Sequence, residues 1–189
     1  MKEIKVGLIG FGTVGKGLAE VLLSQRERLI RRTGMTIRLA GVADHGTTAM
    51  PERFRDIPLT RDASQLINDP EIDIVVELIG GIEPAKTFVM QAIASGKHVV
   101  TANKALLSQE GADIFAAAAK QGVEVGFEAS VGGGIPVIKA LKEGLVANRI
   151  LSIMGIMNGT ANYILTRMTD DGIPFADVLK DAQQLGFAE

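Results

Sequence analysis

The chain opens on a short apolar run, Ile4-Lys5-Val6-Gly7-Leu8-Ile9, and breaks at once into Gly10-Phe11-Gly12-Thr13-Val14-Gly15 before a helical pattern begins. Few folds accept three glycines at this spacing between a strand and a helix. Gly10 lets the chain turn sharply off the strand, and Gly12 leaves no Cβ between the backbone and a bound pyrophosphate. Gly15 lets the new helix pack closely on a sheet. The amides of that helix start would meet two phosphates at the positive end of the dipole. A purely structural glycine turn is the competing reading. The order strand, turn, helix favours a dinucleotide site built from Gly10, Phe11, Gly12, Thr13, Val14 and Gly15.

Apolar residues Val14, Leu18, Val21, Leu22 and Leu29 recur at helical spacing, which predicts one helix over residues 13–32 closed by Gly34. The arginines between 26 and 32 read as its solvated outer face. Residues 35–43 form the second strand, ending on Asp44, a position that accepts hydrogen bonds from ribose hydroxyls and favours NAD. His45 follows and keeps NADP open, and a plain strand-end turn is the other reading of Asp44. Residues 46–60 read as a polar surface connection. A short helix over 63–67 leads to Ile72-Asp-Ile-Val-Val-Glu-Leu-Ile79, an apolar run suited to a parallel sheet covered on both faces. Glu77 inside it is assigned no catalytic role. Gly80-Gly81 sits at its carboxyl end, where ligands cross an open α/β sheet.

A helix over 83–95, a strand over 97–101, a helix from Lys104 to about residue 121 and a strand over 123–127 complete an alternating β-α pattern. That pattern is a Rossmann-type doubly wound parallel sheet, with a first domain over 1–128. Asn103 is a good N-cap, which puts Lys104 at the first helical position on the ligand edge of the sheet. The dipole there opposes its charge, and burial in a cleft would add to that, making the ammonium a readier proton donor. A surface lysine with its stem laid over the sheet fits the spacing equally well. Gly132-Gly133-Gly134 then either frees backbone groups for a ligand or ion, or forms a hinge. A helix over 135–144, a strand over 149–157, a helix over 161–168 capped at Asn158, and a helix over 175–185 belong to an incomplete α+β second part, 129–189.

The 189 residues are 47% hydrophobic with a formal net charge of −2, which suits a sizeable core and offers no basic field for nucleic acid or anionic membrane. Cysteine is absent, which excludes disulfides and thiolate catalysis and fits a reducing cytoplasm. The opening strand leaves no signal-peptide pattern, and no apolar run is long enough to span a bilayer.

Several stretches together resemble the homoserine dehydrogenases: the N-terminal glycines, Val75-Val-Glu-Leu-Ile-Gly-Gly81, Gly96-Lys-His-Val-Val-Thr-Ala-Asn-Lys104, Phe127-Glu-Ala-Ser-Val-Gly-Gly-Gly-Ile-Pro136, Asn158-Gly-Thr-Ala-Asn-Tyr-Ile-Leu165 and Ala182-Gln-Gln-Leu-Gly-Phe-Ala-Glu189. The resemblance covers essentially the whole chain, and the last four motifs are far more specific than the glycine fingerprint. It implies reversible NAD- or NADP-dependent interconversion of aspartate 4-semialdehyde and homoserine by a cytoplasmic homodimer. In this family resemblance Lys104 handles the proton at the reacting oxygen. Gly80 and Asn103 join the cofactor site, Gly159 and Thr160 lie over nicotinamide and substrate, and Glu189 binds the substrate amine. Glu128 with the carbonyls of Val131, Gly133 and Ile135 corresponds to a Na+ or K+ site. The middle glycine of the triplet departs mildly from the family's usual alanine. The family also carries further active-site residues and most of its dimerisation sheet beyond this point, so the sequence is expected to be an N-terminal portion. Two other classes remain open: a sugar-type Rossmann oxidoreductase, which usually continues Glu-Lys-Pro where this chain has Thr101-Ala-Asn-Lys104, and a non-catalytic dinucleotide-binding module.

Overall fold

Leu8, Val42, Val75 and Val99 are almost wholly removed from solvent. They lie on β1 (Glu3–Ile9), β2 (Thr36–Ala43), β4 (Ile74–Glu77) and β5 (His98–Thr101), with β3 (Leu59–Thr60) and β6 (Val125–Gly126) at the two edges. The computed structural model describes residues 1–156 and 158–188. It divides into two units, Met1–Gly144 and Leu145–Glu189.

In the first unit all six strands run parallel in the order β3-β2-β1-β4-β5-β6. Strand side chains alternate between faces, and the core divides accordingly. Val6, Leu8 and Val76 join Phe11, Ala19 and Phe54 on the face covered by α1 (Thr13–Ser24). Ile9, Val75 and Val99 join residues of α3 (Ser64–Ile67), α4 (Ala85–Ala94) and α5 (Lys104–Gln121) on the other. Burying each such aliphatic side chain contributes about 1.5–3 kcal/mol.

Several expected boundaries shift. The single helix over 13–32 is two helices, α1 and α2 (Arg26–Thr33), broken at Gln25. Ser24 Oγ donates back to the Glu20 carbonyl at 2.7 Å just before the break, a contact that competes with the helix ladder and bends it. The connection over 46–60 is not featureless: it holds a 3₁₀ turn, Glu52–Phe54, and strand β3. The helix expected over 135–144 is one turn of α6 (Val137–Lys139) followed by a π-helical stretch, Ala140–Gly144.

The second unit holds α7 (Gly159–Asp170) and α8 (Phe175–Gln184), packed through Ile164, Val178 and Ala182. The strand expected over 149–157 is not formed by residues 149–156, and Met157 lies outside the described residues. A strand needs a neighbour to satisfy its backbone groups; among the described residues none pairs with this segment, and Leu151, Met154 and Ile156 stand exposed. Among the described residues no helix is long and apolar enough to cross a membrane.

At the amino end of the sheet, buried Lys97 donates from Nζ to the carbonyls of Asp69 at 2.5 Å and Ile72 at 2.7 Å. Burial lowers its pKa from the ordinary 10.5, while Asp69 and Asp73 oppose that shift. The unfolded chain therefore holds the proton more tightly, and the stability owed to this group rises with pH through the alkaline range up to 10.5. Lys97→Met should lower unfolding free energy by about 1–3 kcal/mol, because a buried carbonyl and a half-buried one lose their donor. Denaturant titrations should show that deficit widening between neutral pH and the alkaline range; a pH-independent deficit would contradict the linkage.

Candidate functional site

From β1 the chain winds outward to β2 and β3 on one side, then crosses back and winds to β5 and β6 on the other. The order reverses between β1 and β4, and the crevice outside their carboxyl ends is where an open α/β sheet takes ligands. The glycine loop stands there.

Gly10 has φ +101°, and a Cβ on it would lie 2.7 Å from the Leu78 carbonyl group. A Cβ on Gly15 would lie 2.1 Å from the Gly10 carbonyl oxygen. Both positions are therefore closed to any side chain. Gly12 differs: it is exposed, its backbone is extended at φ −72° and ψ −159°, and a Cβ there would meet nothing within 4 Å. The space in front of Gly12 is open, beside the unpaired first-turn amides of α1 at Thr13 and Val14. Phe11 turns its ring into the core edge-on to Phe54, at 5.8 Å between centroids. Its amide donates to Asp44 Oδ2 at 2.8 Å, so that donor is already engaged by the protein.

Asp44 thus does more than end β2. It ties the glycine loop down, and its other oxygen accepts the Thr47 amide at 2.7 Å. Partial burial pushes its carboxyl up, but hydrogen bonds from the Phe11 amide and from the hydroxyl and amide of Thr47 outweigh burial and leave it below the ordinary value. Asp44, His45 and Arg61 line one hollow, closed on its apolar side by Ile79, Pro84 and Phe88.

Across the crevice, Val14, Leu78, Ile79, Gly80, Ala102 and Asn103 line a hollow of about 200 Å³ with Glu77 at its base. Asn103 Oδ1 accepts the Leu106 amide at 3.1 Å, the N-cap expected from the sequence, while its Nδ2 donates to the Gly81 carbonyl at 2.6 Å. Lys104 is the first residue of α5, at the carboxyl end of β5, and its side chain is exposed rather than buried in a cleft. His98 Nδ1 accepts the Glu124 amide at 3.0 Å, a link from β5 to the residue just before β6.

Glu128 uses its two oxygens on the amides of Ile138 at 2.9 Å and Lys139 at 2.8 Å. The carbonyls of Gly132 and Ile135 accept the amides of Ile135 and Val137. Among the described residues, those of Val131 and Gly133 accept no backbone hydrogen bond. In the second unit Asn158 Oδ1 caps α7 by accepting the Ala161 amide at 2.8 Å, Gly159 opens the helix, and Thr160 Oγ1 donates to the Phe187 carbonyl. Glu189 lies outside the described residues.

Three residues of the crevice escaped sequence reasoning in whole or part. Arg61 follows β3, a strand of only two residues with no periodicity to detect. Thr101 Oγ1 donates to Glu77 Oε2 at 2.6 Å, a pairing between strands that only the register of β4 and β5 reveals.

Fold and crevice together define a Rossmann-type dinucleotide-binding unit. The model of the family described as "Homoserine dehydrogenase, NAD binding domain" matches residues 10–128, and that described as "Homoserine dehydrogenase" matches residues 136–189. The chain belongs to the homoserine dehydrogenase family. It is 50% identical over 189 residues to the homoserine dehydrogenase of Neisseria gonorrhoeae and 49% identical over 188 residues to that of Synechocystis. The solved homoserine dehydrogenase of Thiobacillus denitrificans matches all of this chain at 55% identity with a TM-score of 0.87. The chain spans 43% of the length of each of those two relatives and 44% of the solved chain.

The glycine geometry separates two effects. Gly15→Ala should lower stability by about 1–3 kcal/mol, the usual cost of forcing backbone apart, whereas Gly12→Val should cost less than about 1 kcal/mol as an N-cap change without a clash. Thermal melts of the two variants check this, and equal losses would contradict the close approach at Gly15.

Proposed function

We propose that this chain supplies the cofactor-binding part, and the first portion of the substrate-binding part, of an NAD(P)-dependent homoserine dehydrogenase. The reaction is the interconversion of L-aspartate 4-semialdehyde and L-homoserine on the route to threonine, methionine and isoleucine. The observation that carries the reading is the glycine loop at the reversal of strand order, with Lys104 opening a helix at the end of β5 on the same edge. The bound nicotinamide supplies a hydride to the aldehyde carbon, or takes one from the alcohol.

The chain's residues fit that group. Open space at Gly12 and the free first-turn amides of α1 receive the pyrophosphate. The Asp44 carboxylate at the end of β2 faces the ribose hydroxyls, and Arg61 in the same hollow offers the cation that a 2′-phosphate needs. Both NAD and NADP are therefore assigned, NADP through Arg61. The hollow walled by Gly80 and Asn103 receives the nicotinamide end. Lys104 donates a proton to the oxygen as the aldehyde becomes a hydroxyl, and takes it back in the reverse direction. Gly159 and Thr160 are assigned to contact with substrate and cofactor, and Glu189 to the substrate ammonium, on the family resemblance of their motifs. Carbonyls of Val131, Gly133 and Ile135, with Glu128, supply the oxygen donors that a Na+ or K+ ion prefers. The exposed apolar side chains between residues 145 and 156 support burial against further chain or a second copy in a homodimer. The cysteine-free sequence supports a cytoplasmic setting.

Three measurements test this reading. Gly12→Val should weaken NAD(P)H binding by at least about 1.4 kcal/mol, a factor of ten, and unchanged affinity in the folded variant would remove the phosphate assignment. In a chain extended to the length of the relatives, Lys104→Ala should lower turnover roughly 10²-fold or more while cofactor dissociation constants hold. Near-full turnover would return Lys104 to the surface. Arg61→Ala should raise the NADP dissociation constant about tenfold and leave that of NAD nearly alone; equal changes for both would contradict the assignment of Arg61.

A further inference from the structure

Glu77 is completely buried at the carboxyl end of β4, and among the described residues no Lys, Arg or His forms an ion pair with it. Its partners are all neutral donors. Oε1 accepts the amides of Ile79 at 2.9 Å and Gly80 at 3.1 Å, and Oε2 accepts the Thr101 hydroxyl at 2.6 Å. Thr101 Oγ1 in turn accepts the Asn103 amide at 3.0 Å, and Asn103 holds the Gly81 carbonyl. One carboxylate therefore fixes both walls of the hollow beneath Gly80 and Asn103: the turn after β4 and the start of the helix that carries Lys104. A buried charge is costly unless hydrogen bonds or an opposite charge compensate it. Here the compensation comes from three neutral donors, and none of them carries a positive charge.

That charge has a consequence for whatever occupies the hollow. The oxidised nicotinamide ring carries a positive charge and the reduced ring carries none. Resting on the dinucleotide reading above, we infer that Glu77 is a positioning residue whose buried carboxylate also makes this crevice favour the oxidised over the reduced cofactor. The end of the dinucleotide follows from the sheet. Asp44 and Arg61 mark the adenosine side at β2 and β3, the glycine loop marks the pyrophosphate at β1, and the opposite side at β4 and β5 receives the nicotinamide. In a partly desolvated crevice a unit charge acts on a cation far more strongly than in water.

The test titrates the 189-residue chain with NADP+ and with NADPH, in the wild type and in Glu77→Gln, with circular dichroism as the folding control. Glutamine keeps the shape and can still accept from Ile79 and Gly80. Expected is a loss of NADP+ affinity about five- to tenfold greater than the loss of NADPH affinity. Equal losses for both forms, or no loss, would make Glu77 structural only and overturn the inference. Thr101→Val cuts the link to Asn103 but keeps the charge, and serves also if Glu77→Gln does not fold. It should lower both affinities by one common factor, and a selective loss of NADP+ there would overturn the charge argument. A wild-type chain that bound neither form would sink the dinucleotide reading itself, a different outcome from binding both without the selective change.

Discussion

The approach of two backbones at the first turn governs this structure. With 2.1 Å between a Cβ built on Gly15 and the Gly10 carbonyl oxygen, only two bare backbones can pass each other there. That contact sets the angle at which α1 leaves β1. It lays α1 over Val6 and Leu8 on one face, and turns its first amides toward the crevice. Asp44 then fastens the same loop from the side through the Phe11 amide. Helix packing and the shape of the crevice at this loop are thus decided by one turn. Gly12, the glycine with no such neighbour, is left facing open space.

A second anchor, built around Glu77, does for β4 and β5 what Asp44 does for β1 and β2. Both are carboxylates at strand ends, and both accept backbone amides from the loops that form the crevice. They differ in setting. Asp44 is half-exposed at the rim of the crevice, whereas Glu77 is sealed beneath its hollow. Lys97 holds the opposite end of β4 by donating to the carbonyls of Asp69 and Ile72, so each end of this central strand is fastened by a buried ionisable side chain.

Much of this was legible in the sequence where local patterns carry the information. β1, the glycine turn, β5 and the Asn103 cap of α5 follow from apolar runs, glycine spacing and capping chemistry, which act over a few residues. Spacing leaves Lys104 open between a cleft and the surface, because burial depends on what packs around a helix start; the structure exposes it. β3 carries two residues and no period, so no local pattern marks Arg61. The Glu77–Thr101 pair spans 24 positions and depends on the register of two parallel strands. The segment before Asn158 has strand-like composition, yet composition does not supply the partner that a ladder requires. The family motifs run through both units, whereas periodicity speaks only within single elements.

The central claim is that a dinucleotide lies across the reversal point of the sheet. Backbone amide NMR of the 189-residue chain during an NADP+ titration tests it most directly. The account predicts saturable shifts at Gly12, Thr13 and Val14, at Gly80 and Gly81, and at Asn103, with the amide of Asp69 at the far end of β4 unmoved. Shifts confined to other surfaces, or none at all with a folded spectrum, would contradict it.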